Sequence, residues 1–154
     1  MSTRILMVCL GNICRSPLAE GVFKNLVADH GLSDDFIIDS AGTGGWHVGN
    51  PPHKGSIDIA LTHDIDIRDQ RSRQVQADEL SEWDWIIAMD ASNRSNLLRL
   101  GAPKERTRLL LSFIPPGYSR DVPDPYYEGG FDRVFDLVES GCTHLLEFLQ
   151  KQGH

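Results

Sequence analysis

Four short apolar runs, separated by longer stretches of helical periodicity, constrain this chain more than any other feature. They fall at residues 4–9, 36–40, 85–89 and 109–111, where the sequence reads Ile5-Leu6-Met7-Val8-Cys9, Phe36-Ile37-Ile38, Trp85-Ile86-Ile87-Ala88-Met89 and Leu109-Leu110-Leu111. A β-branched run with no polar alternation is a strand buried on both faces, which is what a parallel sheet covered by helices requires. Between the runs the spacing predicts a helix over 16–30, with Pro17 at its first position and Gly31 as its stop. Further helices are predicted over 54–63 and from a Ser92-Asn93 cap to Gly101, with a helical turn at 80–83. A last helix carries Val134, Leu137, Val138, Leu145, Leu146 and Leu149, and the Pro-, Gly- and Tyr-rich segment 115–130 reads as a loop. Alternation of strand and helix predicts an α/β fold: a four-stranded parallel sheet with helices on both faces, doubly wound, as one domain over 1–154.

Composition narrows the function classes. The 154 residues are 40% hydrophobic and 24% charged, enough apolar mass for a core that stands as a monomer. The net charge of -7 argues against nucleic acid or an anionic membrane as a partner. No apolar run approaches the roughly 18 residues of a membrane-spanning helix. Three cysteines, Cys9, Cys14 and Cys142, match neither a disulfide framework nor a zinc site, so the expected compartment is the cytoplasm. The histidines at 30, 47, 53, 63, 144 and 154 form no ligand grouping and read as surface or loop residues. No metal and no cofactor is expected.

In a doubly wound sheet the ligand lies at the carboxyl ends of the strands. The segment there after the first strand is Cys9-Leu10-Gly11-Asn12-Ile13-Cys14-Arg15-Ser16-Pro17. Such a strand-to-helix loop can turn successive backbone N–H groups inward to hold an anion, with the helix dipole behind it. Gly11 lets the backbone curl, and Arg15 offers a planar fork for two phosphate oxygens. No Gly-Lys-Ser/Thr follows, so this is not a nucleoside triphosphate loop. The same inward field favours Cys9 as a thiolate, placed for in-line attack on phosphorus, with Ser16 able to hydrogen-bond the sulfur. Taken alone, Cys9 also reads as the buried end of a strand. Cys14 stands between two readings, a partner for a reversible disulfide with Cys9 and a small residue packed behind the loop.

Cys9, Arg15 and Ser16 near the start of the chain, with Asp124-Pro125-Tyr126-Tyr127 near its end, resemble the low-molecular-weight protein tyrosine phosphatases. The likeness runs through Asp39-Ser40-Ala41-Gly42-Thr43 and Met89-Asp90-Ala91-Ser92-Asn93 and covers nearly the whole chain. It implies a four-stranded parallel sheet and hydrolysis of phosphotyrosine in proteins through a phosphocysteine. By that resemblance Cys9 attacks, Arg15 clamps the phosphoryl group, and Asp124 protonates the leaving oxygen and then activates water. Asn12 and Ser40 resemble the residues that brace the family's phosphate loop. Gln70 stands where many relatives carry a histidine of that network, which implies altered loop rigidity rather than lost activity. Trp46, Tyr126 and Tyr127 are candidates for walls that stack on an aryl group, in a cleft too deep for phosphoserine. In relatives the tyrosine pair can itself be phosphorylated.

Without the resemblance, Asp124 between Pro123 and Pro125 reads equally as a turn. Three other functions share the fold. Arsenate reduction would need relay cysteines around the third strand, and none lies between Ala77 and Leu100. Bacterial arginine phosphatases tend to carry threonine where this loop has Ile13, an apolar side chain better suited to an aryl phosphate. A phosphate-binding regulator without turnover would need neither Cys9 nor Asp124.

Overall fold

The computed structural model describes residues 2–116 and 120–152, with Tyr127 and Glu128 described through their backbone alone. Four parallel strands form one sheet: β1 (Thr3–Cys9), β2 (Phe36–Gly42), β3 (Trp85–Ala88) and β4 (Thr107–Leu109), in the order β2-β1-β3-β4. Among the described residues five α-helices accompany them: α1 (Arg15–Asp29), α2 (Lys54–Thr62), α3 (Ala91–Leu100), α4 (Pro125–Glu128) and α5 (Phe131–Lys151).

Side chains alternate across the sheet, as strand geometry demands, and the core divides accordingly. Ile5, Met7, Cys9, Ile87 and Met89 face one side, where α1 and α5 cover them with Leu18, Phe23, Val134, Phe135, Val138 and Leu145. Leu6, Val8, Ile86 and Ala88 face the other, under Leu80, Trp83 and Leu97 from the 3₁₀ turn at 77–82 and from α3. Both faces of β1 and β3 are therefore dry, which explains their unbroken apolar spelling.

The boundaries depart from the sequence expectations in four places. Helix α1 begins at Arg15, so Pro17 sits in its first turn rather than at its first position; amides there lack helical partners, and the missing N–H costs little. The cap of α3 is Asp90, not Ser92-Asn93: its carboxylate accepts from the Asn93 amide at 2.8 Å, while the Asn93 side chain accepts from the Asp90 amide at 3.2 Å. Strand β4 lies two residues early, because Thr107 and Arg108 pair with Ile86 and Ile87. Leu110 and Leu111 then enter the core from a 3₁₀ turn, where an apolar run mimics a strand. Finally, segment 115–130 contains α4, with Asp124 as its cap and Pro125 at its start.

The chain leaves β1 toward β2 on one side and leaves β3 toward β4 on the other. A crevice opens between β1 and β3 where these connections diverge, at the carboxyl ends of the strands. Cys9 ends β1, and Asp90 follows β3.

Candidate active site

The loop from Cys9 to Arg15 is shaped by where its carbonyls point. Those of Cys9 and Leu10 accept from the amides of Thr43 and Gly44, at 3.0 and 2.9 Å. The Gly11 carbonyl accepts from Ser72 Oγ at 2.9 Å, that of Ile13 from the His53 amide at 2.7 Å, and that of Cys14 from Ser56 Oγ at 3.1 Å. Five carbonyls are thus held by segments outside the loop. In a trans peptide the following N–H points the opposite way. The amides of Leu10, Gly11, Asn12, Cys14 and Arg15 consequently face the loop's interior, together with the N-terminus of α1. Asn12 adopts φ 57°, the left-handed conformation that lets such a loop close on itself and that asparagine tolerates better than most residues.

Behind the loop a chain of hydrogen bonds runs in one direction from the Arg73 amide through Asn12 to two serines. The Arg73 amide donates to Asn12 Oδ1 at 3.0 Å, which fixes the side-chain amide and turns Nδ2 toward two serines. Asn12 Nδ2 donates to Ser16 Oγ at 2.8 Å and to Ser40 Oγ at 3.0 Å. Ser40 Oγ in turn donates to the buried Glu20 carboxylate at 2.6 Å, and Lys24 Nζ closes that end, also at 2.6 Å. Ser16 therefore has its own hydrogen left for Cys9 Sγ, 3.0 Å away. Either atom can be the donor of this last contact, and a deprotonated sulfur would accept the Ser16 hydrogen.

Arg15 extends over the same floor, almost fully buried. Its Nη1 donates to Asp90 Oδ2 at 2.6 Å and to the Val122 carbonyl at 3.0 Å, and Nη2 lies 3.5 Å from Asp124 Oδ2. Burial works against its charge, but Cys9, Asp90 and Asp124 outweigh that and push its pKa up. Asp90 caps α3 through one oxygen and holds Arg15 through the other, so the guanidinium is aimed by a helix cap. Asp124 caps α4 by accepting from the Tyr126 amide at 3.0 Å. Its loop is pinned to the end of β3: the Val122 amide donates to the Met89 carbonyl at 2.8 Å, and the Ala91 amide to Asp121 Oδ1 at 3.0 Å.

These groups line a cleft of about 340 Å³, with Cys9, Cys14 and Arg15 among its floor and Ile13, Trp46, His47, Asp124 and Tyr126 around it. The loop residues Leu10 and Gly11 also line it, whereas Asn12, Ser16 and Ser40 stand buried behind. Trp46 and Tyr126 are exposed walls, and the side chain of Tyr127 lies outside the described residues. Cys9, Cys14 and Cys142 are all free thiols, outside any disulfide. Burial, reinforced by charge at Cys9 and Asp124, pushes the Cys14 thiol up to about 12, so it stays protonated beside the Cys9 sulfur.

One expectation needs correction. Gln70 does not join the loop network: its Nε2 donates to the Pro17 carbonyl at 3.1 Å, and its buried Oε1 has no partner among the described residues. The bracing from that segment comes instead from Ser72 and the Arg73 amide. His47 and His53 lie in loops, as expected, and both approach the cleft wall. His47 lines the cleft 5.8 Å from the Tyr126 ring, and His53 caps α2, stacks on Phe131 and lies 6.1 Å from Tyr126. His63 stacks on Phe135 at 4.0 Å. No spacing marks the approach of His47 and His53 to Tyr126, which is distant from both in sequence.

The family model described as low molecular weight phosphotyrosine protein phosphatase matches residues 4–154. The chain belongs to that family. It is 45% identical over 150 residues to the low molecular weight protein-tyrosine-phosphatase YfkJ of Bacillus subtilis, covering 96% of each chain. The crystal structure of YfkJ superposes with a TM-score of 0.97 at 42% identity, over 100% of this chain and 98% of that one. A drosophila arginine phosphatase, at 31% identity and a TM-score of 0.87, covers 94% of this chain and 96% of its own. The family and the four-stranded parallel fold are thus those that the sequence resemblance implies.

Proposed function

We propose that this protein hydrolyses phosphotyrosine monoesters in proteins through a phosphocysteine intermediate formed on Cys9. The carrying observation is that the Cys9 sulfur, 3.0 Å from Ser16 Oγ, shares one cleft floor with Arg15, with Asp124 at its edge. Inward amides and Arg15 bind the phosphoryl oxygens and stabilise the charge that spreads over them as the bond breaks. Cys9 Sγ attacks phosphorus, the S–P bond forms, and the ester P–O bond breaks. The departing phenolic oxygen takes the proton of Asp124. Water then attacks the phosphocysteine and yields its proton to Asp124, and the sulfur leaves as a thiolate steadied by the Ser16 hydroxyl. Arg15 swings its Nη2 contact from Asp124 to the phosphoryl group, while Asp90 keeps Nη1 in place.

Trp46, Tyr126 and the apolar Ile13 suit an aromatic leaving group, which supports phosphotyrosine over phosphoarginine despite the likeness to an arginine phosphatase. The reaction draws on protein groups alone and calls for neither metal nor cofactor. Residues 1–154 act as one phosphatase domain, as a monomer in the cytoplasm, where a reducing environment keeps Cys9 competent. Matched phosphotyrosyl, phosphoseryl and phosphoarginyl peptides test this reading. Hydrolysis concentrated on phosphotyrosine is expected. Preference for phosphoarginine overturns the substrate assignment, and binding of all three without turnover overturns the enzyme.

A further inference from the structure

The hollow on the far side of Trp46 has no part in the chemistry above. It holds about 310 Å³ and shares Leu10 and Trp46 with the catalytic cleft, so the indole is a partition between two adjoining depressions. The partition is built in place. The ring lies so closely on Gly44 that a Cβ there would fall inside it, and the Gly44 amide is tied to the Leu10 carbonyl of the phosphate loop. Trp46 is thereby fixed relative to the loop although it is 72% exposed. Across the hollow stand Val75 and Leu100, the latter 41% exposed at the end of α3. Thr43 and Asn96 complete the lining, and no ionisable side chain contributes to it.

An uncharged depression rimmed by an exposed indole and an exposed leucine is surface that gains by losing water. A protein substrate with its phosphotyrosine in the cleft must run its backbone across the mouth. An extended chain advances about 3.3 Å per residue, so two or three residues carry it past the edge of an indole ring. We propose that this hollow is a second specificity subsite, taking an apolar aliphatic side chain within three residues of the phosphotyrosine. The proposal rests on the phosphotyrosine reading above.

The test is a set of phosphotyrosyl peptides carrying Leu, Ser or Asp at each of the three positions on either side. At one position or more, Leu raises kcat/KM over Ser by about tenfold, the scale expected for partial burial of a leucine side chain. Leu100→Asp removes that preference, and Leu100→Lys turns it toward the Asp-bearing peptide. Both variants hydrolyse p-nitrophenyl phosphate, which does not reach the hollow, at the wild-type rate. A peptide set with no preference for Leu, or a preference that survives both substitutions, overturns the subsite. Failure of the wild type to hydrolyse any phosphotyrosyl peptide would strike the parent reading instead.

Discussion

Asn12→Asp is the sharpest probe of the hydrogen-bond chain behind Cys9, the proposed nucleophile. The two side chains are nearly the same shape, and the new carboxylate still accepts from the Arg73 amide, 3.0 Å away in the wild type. What changes is the other end: a group that donated to Ser16 Oγ at 2.8 Å and Ser40 Oγ at 3.0 Å can now only accept. Both hydroxyls must turn to face it. Ser16 then withdraws its hydrogen from Cys9, and Ser40 withdraws its own from Glu20, leaving that buried carboxylate with Lys24 alone. A hydrogen bond to a charged acceptor contributes about 1.5–3 kcal/mol. Losing it at the sulfur lowers the reactivity of Cys9 near neutral pH by roughly ten- to a hundredfold. Ser16→Ala removes the same bond without adding charge and sets the scale, so Asn12→Asp should fall at least as far. Alkylation of Cys9 by iodoacetamide at pH 6, followed by mass, reads the sulfur directly, with p-nitrophenyl phosphate turnover beside it. Folding is checked by urea unfolding. If folded Asn12→Asp protein alkylates as fast as the wild type, the direction assigned to the chain is wrong.

Three further outcomes follow from the same geometry. Asp124→Asn lowers kcat on a phosphotyrosyl peptide by about 10²–10⁴, and by less on p-nitrophenyl phosphate, whose leaving group needs a proton less; equal losses on both would remove Asp124 from the role of acid. Iodoacetamide at pH 8 labels Cys9 while leaving Cys14, whose pKa is pushed up to about 12, and the fully buried Cys142 untouched in the folded protein, as peptide mass mapping would reveal. Glu79 gives a pH dependence of stability. Burial opposes its charge, but the paired Arg73 contacts at 2.9 Å, the Gln76 amide and Trp83 Nε1 overcome this and hold its pKa down. A lowered carboxylate stabilises the fold above its unfolded value, about 4.3, and that stability goes as pH falls through the folded value. The stability gap between wild type and Glu79→Gln therefore narrows between pH 6 and pH 3 in urea titrations, and a constant gap would contradict the assignment.

Much of the molecule was legible in the sequence because its strands are buried on both faces. Residues such as Leu6 and Met7 must then be apolar in succession, and such runs are hard to mistake. The same logic misled at Leu109-Leu110-Leu111, where burial of a 3₁₀ turn produces an identical pattern one step past the strand. Cys9 and Arg15 were legible because a strand end, an anion loop and a helix start lie together in sequence. Asp124 was legible by resemblance, since an aspartate before a proline caps many turns of no consequence. Asp90, Glu20, Ser72 and His47 were missed as site residues. Each acts across the fold, on Arg15, Ser40, Gly11 and Tyr126 respectively, and no local spacing records such a partnership.

The central claim is that Cys9 is the nucleophile of a metal-free phosphatase. Its most direct test is hydrolysis of p-nitrophenyl phosphate in the presence of EDTA by the wild type beside Cys9→Ser. Steady turnover that resists EDTA and disappears in Cys9→Ser is the predicted result. A wild type silenced by EDTA, or a serine variant as fast as the wild type, would contradict it.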